Sequence, residues 1–257
     1  MRKLGLVVAL LCLPFALFAQ STVVEDSFSD LGAWQPGYGD WTTEGGRLIQ
    51  EDTNAGMARI DREVPQEGVY QIDFTIRYVD GGYESMSDYE DGRYHAGFGV
   101  HIGVTDPPIG GKSWGNNESY LLWLNLDTRT ATMEEAPHHA GFRAQVYESS
   151  DDVTMDLYES SEMRRLFGDS RTSIDLVAAL RELGVDASVS DLNRYLDRDI
   201  PVSIRVNTNT GEIGVKDPTA PLRFYFSVDP ELLEGDYISL RTNHLAASFD
   251  DFTVIER

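Results

Sequence analysis

Cysteine is almost absent from this chain of 257 residues. The single Cys12 lies in the opening stretch MRKLGLVVALLCLPFALFAQ, which combines two basic residues, a short apolar run and the small Ala19. This is the pattern of a secretory signal, so we expect residues 1–19 to be removed and the protein to be secreted or periplasmic. The mature chain would then have no disulfide, no thiolate metal site and no cysteine nucleophile. Because Leu10 and Leu11 precede Cys12 in place of small residues, a lipid anchor is not expected.

Long hydrophobic runs and positive charges are also scarce. After the signal, no stretch approaches the roughly 20 apolar residues that a membrane-spanning helix requires. Lysine and arginine number 21 against 43 acidic residues, and removing Arg2 and Lys3 takes the formal net charge from -22 to -24. Such a surface repels nucleic acid and anionic lipid, so neither is expected as a partner. The excess of aspartate over lysine fits a salt-rich habitat, with specific cation binding as the alternative.

Most of the chain shows the two-residue alternation of half-buried strands. In VYQIDFTIRYV one face carries Tyr70, Ile72 and Phe74, and the opposite face is polar. The pattern recurs in HAGFGVHIGV, YLLWLNLDT, GFRAQVYES, DVTMDLYES, PVSIRVNT, LRFYFSV and the final strand. Eight or more such strands separated by turn signals predict an all-β, antiparallel jelly-roll sandwich, formed by residues 20–257 as one domain.

One segment, at about residues 160–199, departs from this alternation. Leu176, Leu180 and Leu183 have helical spacing, Thr172 and Asp175 resemble a capping box, and a glycine follows. A second short helix is predicted to start near residue 188 or 190. We therefore predict a helical hairpin inserted in the sandwich, either as a cap over one edge or as a lid or docking element.

Three of the predicted strands carry the polar side chains that a glycan site requires. If HAGFGVHIGV, YLLWLNLDT and GFRAQVYES are neighbours, their polar faces form a shallow floor with aromatic rings, amides, an arginine and an acid. Gly97 and Gly99 would leave room above that floor. Rings and paired hydrogen-bonding groups suit a sugar, and the alternative is an ordinary solvated sheet face. The candidate carbohydrate-binding residues on this floor are His101, Trp123, Asn125, Asp127, Arg143, Gln145 and Tyr147.

The loop sequence IGGKSW contains Gly-Lys-Ser but is not a phosphate-binding loop. Asp106 stands where that motif requires its first glycine, and no helix is predicted to follow. Trp114, at the tip of the loop, is a further candidate for stacking on a sugar. The alternative is that a buried Trp114 anchors the loop.

The end of the chain, SFDDFTVIER, contains a break in alternation. Phe249 and Phe252 are both apolar but are three residues apart, so strict alternation would point them to opposite faces of the sheet. A β-bulge at Asp250–Asp251 would absorb this shift of one residue.

Three stretches resemble known proteins. The opening VVEDSFSDLGAWQPGYGDWTTEGGRLIQ, the hairpin PVSIRVNTNTGEIGVKD and the closing SFDDFTVIE are similar to concanavalin A-like, laminin-G-like jelly rolls. The resemblance covers most of the mature chain outside the helical insertion, and it implies that the last strand pairs beside the first. It also implies a structural calcium ion near that junction, held by Asp26 with Asp250 or Asp251. The alternative is a plain bulge with solvated or arginine-paired aspartates.

The resemblance leaves the function open, because the superfamily includes hydrolases, lyases, lectins and adhesion modules. The chain lacks the Glu-x-Asp-x-x-Glu strand of laminarinase-type hydrolases and the Arg-Ser/Thr-Glu-Leu motif of alginate lyases. We therefore predict a non-catalytic protein that binds a polysaccharide or glycan on the concave face of the sheet. The first alternative is a hydrolase or lyase in which His101, Tyr147 and Arg143 act as base, acid and charge neutraliser. The second is an envelope protein that docks a partner protein through the helical insertion.

Overall fold

Two antiparallel sheets of eight strands each make up the fold in the computed structural model of the chain. The structure describes residues 21–82, 96–127, 134, 140–158, 173–188, 196, 198–220 and 223–257. The predicted signal at 1–19 lies outside these residues. Within them, no helix is long and apolar enough to span a membrane. The predicted all-β antiparallel sandwich is confirmed.

Each predicted alternating segment contains a strand, and the sheets also include strands that alternation did not predict, at Ala58–Glu63, Ser173–Asp175 and Tyr237–Asn243. In chain order they are β1 (Ser21–Asp26), β2 (Gln35–Tyr38), β3 (Trp41–Glu44), β4 (Arg47–Gln50), β5 (Ala58–Glu63), β6 (Val69–Gly81), β7 (Gly97–Val104), β8 (Ser119–Asn125), β9 (Arg143–Ser149), β10 (Met155–Leu157), β11 (Ser173–Asp175), β12 (Ile200–Asn207), β13 (Glu212–Lys216), β14 (Arg223–Ser227), β15 (Tyr237–Asn243) and β16 (Leu245–Glu256). A 3-10 helix covers Pro230–Leu233 and an α-helix, α1, covers Leu176–Glu182.

The order of the strands places distant parts of the chain side by side. The first sheet has the order β14-β13-β12-β6-β16-β4-β3, with β1 paired to β16. The second sheet has the order β10-β9-β8-β7-β15-β5-β2, with β11 paired to β9. The first and last strands are therefore neighbours, as the resemblance implied.

The core lies between the inner faces of the two sheets. The predicted inward residues of β6, including Ile72 and Ile76, are almost fully buried against residues such as Val100 and Leu240 of the second sheet. Fully burying a side chain of this size contributes roughly 1.5–3 kcal/mol relative to exposure. The alternation of apolar residues thus accounts for the sandwich and for the inner face of each strand.

The helical insertion is confirmed for its first helix. Leu176 and Leu180 are the buried residues of α1, and Gly184 follows its end with a φ of 78°. The N-cap is Asp175, whose carboxylate accepts a hydrogen bond from the Ala178 amide, so the predicted cap at Thr172 is wrong in register. Residues 159–172 lie outside the described part, and so does most of the predicted second helix, at 189–195 and 197.

The predicted bulge at the end of the chain is present. The pairing of β16 with β6 shifts register between Asp250 and Thr253, and Asp251 has a φ of 51°. The extra residue lets Phe249 and Phe252 both point into the core. The two adjacent aspartates therefore mark the point where the strand changes phase.

The left-handed backbone at Asp251 predicts a specific order of stabilities. Asp251→Val should lower the free energy of unfolding by roughly 1–2 kcal/mol, because a β-branched residue is disfavoured at positive φ. Asp251→Gly should be tolerated. Urea unfolding measures both, with Thr253→Val as a control on the same strand. Equal stability of Asp251→Val and Asp251→Gly would contradict this account of the bulge.

Candidate functional site

The residues predicted to form a glycan-binding floor do lie on one face of the second sheet. Strands β7, β8 and β9 are neighbours, and Trp123 stands between Gly99 and Gln145 in register. His101, Leu121 and Tyr147 form the next row. The prediction of which residues share this outer face is therefore correct.

The floor is nevertheless closed. Trp123 is only 4% exposed, and His101, Asn125, Asp127, Gln145 and Tyr147 are buried as well, whereas Arg143 is half-buried. A Cβ atom at Gly97 or Gly99 would lie 2.8 or 2.7 Å from the Trp123 ring, so the indole fills the space above these glycines. The expectation of an open floor that offers Trp123 to a sugar is thus corrected.

The loop between β7 and β8 contributes to this closure. Trp114 is half-buried and packs against a second apolar cluster that contains Trp123, Tyr147 and Met155. Its indole nitrogen donates a hydrogen bond to the carbonyl of Met155 at 3.2 Å. The alternative interpretation of Trp114, as the anchor of its loop, is therefore the one that fits.

Beside this cluster, two buried arginines hold the loop onto the sheet. The Arg241 guanidinium donates to the carbonyl oxygen of Ser113 at 2.6 Å and to those of Trp114 and Gly115 at 3.3 Å. Arg59 donates to the Ser113 hydroxyl at 2.5 Å and also to the carbonyl of Pro108. Both arginines are fully buried. Sequence reasoning missed both arginines. Arg59 in ARIDRE and Arg241 in YISLRTN each stand beside a buried aliphatic residue, Ile60 and Leu240, but nothing local signals that a charged face will be covered.

The same network fixes the protonation of His101. Nε2 of His101 faces the Arg241 guanidinium at 3.0 Å and must accept from it, while Nδ1 lies 2.9 Å from the Ser119 hydroxyl. Burial and the positive charge of Arg241 lower the pKa of His101 well below its ordinary value. Burial likewise lowers the pKa of Arg241 to about 9, so that it stays protonated at neutral pH. An imidazole so enclosed does not reach solvent, which argues against His101 as an enzymatic base.

Asp61 supplies the carboxylate of this network. It accepts from Arg59 at 2.9 Å and from the Ser239 hydroxyl at 2.5 Å. Burial raises the pKa of Asp61, opposed by the charge of Arg59. Asp61 therefore pairs directly with Arg59, and its negative charge also favours the charged form of Arg241.

The aspartates predicted to hold calcium are near one another, since Asp26 pairs with Phe252 across β1 and β16. Asp26 forms an ion pair with Arg62, and Asp250 forms one with Arg47 at 3.1 Å, while Asp251 is exposed. Over the described ranges, no group of three or more His, Cys, Asp or Glu side chains is arranged to hold a metal ion. This geometry matches the alternative to calcium binding, in which the aspartates pair with arginines. Calcium binding stays a prediction.

An open site lies instead on the outer face of the first sheet. Strands β12, β13 and β14 form a groove of about 670 Å³ at the sheet edge, which we call the edge groove. Its volume falls within the range of roughly 300–1,000 Å³ typical of ligand pockets. Polar side chains that line it include Gln71, Asn207, Glu212 and Ser227.

Two aromatic residues line the edge groove: Tyr225 is 69% exposed, whereas Phe226 is buried. In register, Gly214 stands between Tyr225 on one side and Arg205 on the other. A Cβ atom at Gly214 would lie 3.3 Å from the Tyr225 ring, so the ring rests against the glycine. The sequence could have indicated the outward position of Tyr225, because alternation in LRFYFSV places Arg223, Tyr225 and Ser227 on one face.

Several solved structures share this architecture. A mutant of the Emp46p carbohydrate recognition domain has a TM-score of 0.50 at 12% identity, covering 91% of this chain and 94% of that chain. A lectin from Bauhinia forficata in complex with GalNAc has a TM-score of 0.51 at 10% identity, with coverage of 92% and 97%. A Bacillus subtilis protein with a galectin-like fold has a TM-score of 0.51 at 11% identity, also with coverage of 92% and 97%. The chain has the concanavalin A-like lectin/glucanase fold.

At such low identity the concanavalin A-like fold is what the comparison establishes, and the fold does not decide function. No family model and no curated protein matches the chain. The function therefore has to be argued from the two faces of this concanavalin A-like sandwich, of which the edge groove is open and the predicted floor is closed.

The buried His101 predicts that acid weakens the fold. Below about pH 6.5 an unfolded histidine takes up a proton that the folded state excludes, so the free energy of unfolding falls as the pH drops. This component amounts to at most about 1.4 kcal/mol per pH unit. His101→Gln keeps a side-chain donor and acceptor but does not titrate, so it should lack this component. Urea unfolding between about pH 5 and pH 8 measures the difference.

Asp61 is present in both the parent protein and His101→Gln, so its contribution to the pH dependence of stability cancels in the comparison. If His101→Gln loses stability in acid as steeply as the parent protein, the neutral buried histidine is not the cause.

Proposed function

We propose that the protein is an exported, non-catalytic carbohydrate-binding protein that holds a glycan in the edge groove. The observation that carries the proposal is the exposed Tyr225 ring, which rests against Gly214 in a groove lined by amide and guanidinium groups. An exposed aromatic face packs against the C–H face of a sugar ring, and the surrounding donors and acceptors suit its hydroxyls. Exposure of so large an apolar ring gains nothing for folding.

The fold is consistent with this function. Two of its structural neighbours are a carbohydrate recognition domain and a lectin in complex with GalNAc. The proposed site lies on the outer face of the first sheet, because Trp123 and the loop close the corresponding face of the second sheet. The predicted secretory signal would bring the protein to extracellular or periplasmic glycans.

The proposal depends on the tyrosine ring, which can be tested directly. Tyr225→Ala should weaken binding to a retained polysaccharide by roughly 1 kcal/mol, about fivefold, because it removes the stacking surface. Tyr225→Phe keeps the ring and should bind almost as well as the parent protein. Depletion of the mature protein by a panel of polysaccharides, followed by titration with the best one, gives both values.

Two controls complete this experiment. Ile109 is fully exposed on the loop of the second sheet, so Ile109→Ala should leave binding unchanged. The melting temperatures of all variants should agree, because each altered side chain is exposed. Failure of every polysaccharide to retain the protein, or equal retention of Tyr225→Ala, would refute the proposed function, and release of sugar into the supernatant would refute its non-catalytic character.

A further inference from the structure

The edge groove is a patch of positive charge on an acidic protein. Arg205, Lys216, Arg223 and Arg257 line it, and Glu212 is the one acidic residue among its described lining residues. The whole chain has 43 acidic residues against 21 basic ones. Acidic residues are thus twice as common as basic ones in the chain, yet basic residues outnumber them in this groove.

Intramolecular pairing does not account for these charges either. In the described part of the chain, none of the four cations has a carboxylate oxygen within salt-bridge distance, although other arginines, such as Arg47 and Arg77, do. Lys216 stands directly opposite Arg223 in the pairing of β13 with β14. Like charges directly opposite one another destabilise a sheet. The arrangement costs folding free energy, which suggests that its purpose is binding.

The positions of the cations relative to Tyr225 indicate what would bind. Arg223 and Tyr225 are two residues apart on the same strand and therefore on the same face. Arg205 lies in the same row as Tyr225, with Gly214 between them. A sugar ring stacked on Tyr225 would thus have a guanidinium along the strand and another across it. Guanidinium groups bind carboxylate and sulfate oxygens through paired hydrogen bonds.

We infer that the ligand of the edge groove is an anionic polysaccharide, which carries carboxylate or sulfate groups on its rings. This inference rests on the proposed function and specifies its substrate class. The net negative charge of the protein does not prevent such binding, because charges farther away than about 8 Å are largely screened at physiological salt. Single-stranded nucleic acid fits less well, since its recognition uses successive aromatic platforms, whereas the groove presents one exposed ring.

Two matched pairs of polymers test the inference with the mature protein. Dextran sulfate and dextran share one backbone, and polygalacturonate and its methyl ester share another. The charged member of at least one pair should bind at least about tenfold more tightly than its neutral partner at about 0.15 M salt. The reason is that charge-assisted hydrogen bonds contribute about 1.5–3 kcal/mol each. Added salt should weaken this binding. The pair that responds identifies the anionic group as sulfate or carboxylate.

The chain offers a close control for the charge itself. Lys112 and Lys216 are the only lysines after the predicted signal. Both are exposed, Lys112 in the loop between β7 and β8 and Lys216 at the end of β13. Lys216→Glu should lower the affinity for the charged polymer at least about tenfold. Lys112→Glu makes the same change in net charge and should leave the affinity nearly unchanged.

The outcomes separate this inference from the proposed function. If neutral and charged polymers bind equally and Lys216→Glu behaves like Lys112→Glu, the anionic class is wrong while carbohydrate binding stands. If no polymer of either pair binds and the wider panel is also negative, both fail. Binding of oligothymidylate as tightly as the best polysaccharide would overturn the assignment to a sugar.

Discussion

The buried Arg241 guanidinium determines which surface of this sandwich is available for binding. It donates to the carbonyl oxygens of Ser113, Trp114 and Gly115 and so ties the loop between β7 and β8 to the outer face of the second sheet. Trp114 then packs onto the cluster around Trp123. Among the residues that the structure describes, that face is closed around Trp123, whereas the edge groove on the outer face of the first sheet is open.

A cation in this position is costly unless its environment replaces water. Removing a guanidinium from water costs several kcal/mol, and its attraction to fixed dipoles offsets the cost only when the geometry is good. Here four backbone carbonyls and Nε2 of His101 accept from Arg241, which explains why the histidine has to remain neutral. A protonated His101 would place a second cation against the guanidinium. The loop, the arginine and the histidine thus form one hydrogen-bonded unit that requires a neutral imidazole.

Sequence alone predicted the sandwich, most of its strands, the bulge at Asp250–Asp251 and the sharing of one face by Trp123, Gln145 and Tyr147. These features follow from local alternation, since the two-residue period fixes which side chains point the same way. Alternation does not reveal whether a face is covered. Trp114 packs against the cluster that contains Trp123, from a loop that Arg241 holds. Because Arg241 lies more than a hundred residues farther along the chain, local patterns gave no sign of this contact.

The edge groove shows why net charge is a poor guide to the sign of a ligand. The chain as a whole is strongly acidic, yet the basic side chains of neighbouring strands line the same groove as Tyr225. At physiological salt, charges farther away than about 8 Å are largely screened. The pairing of β12, β13 and β14 brings Arg205, Lys216 and Arg223 onto one face although they are spread along the chain. Composition describes the average surface and does not reveal this groove, where strand register brings basic side chains together.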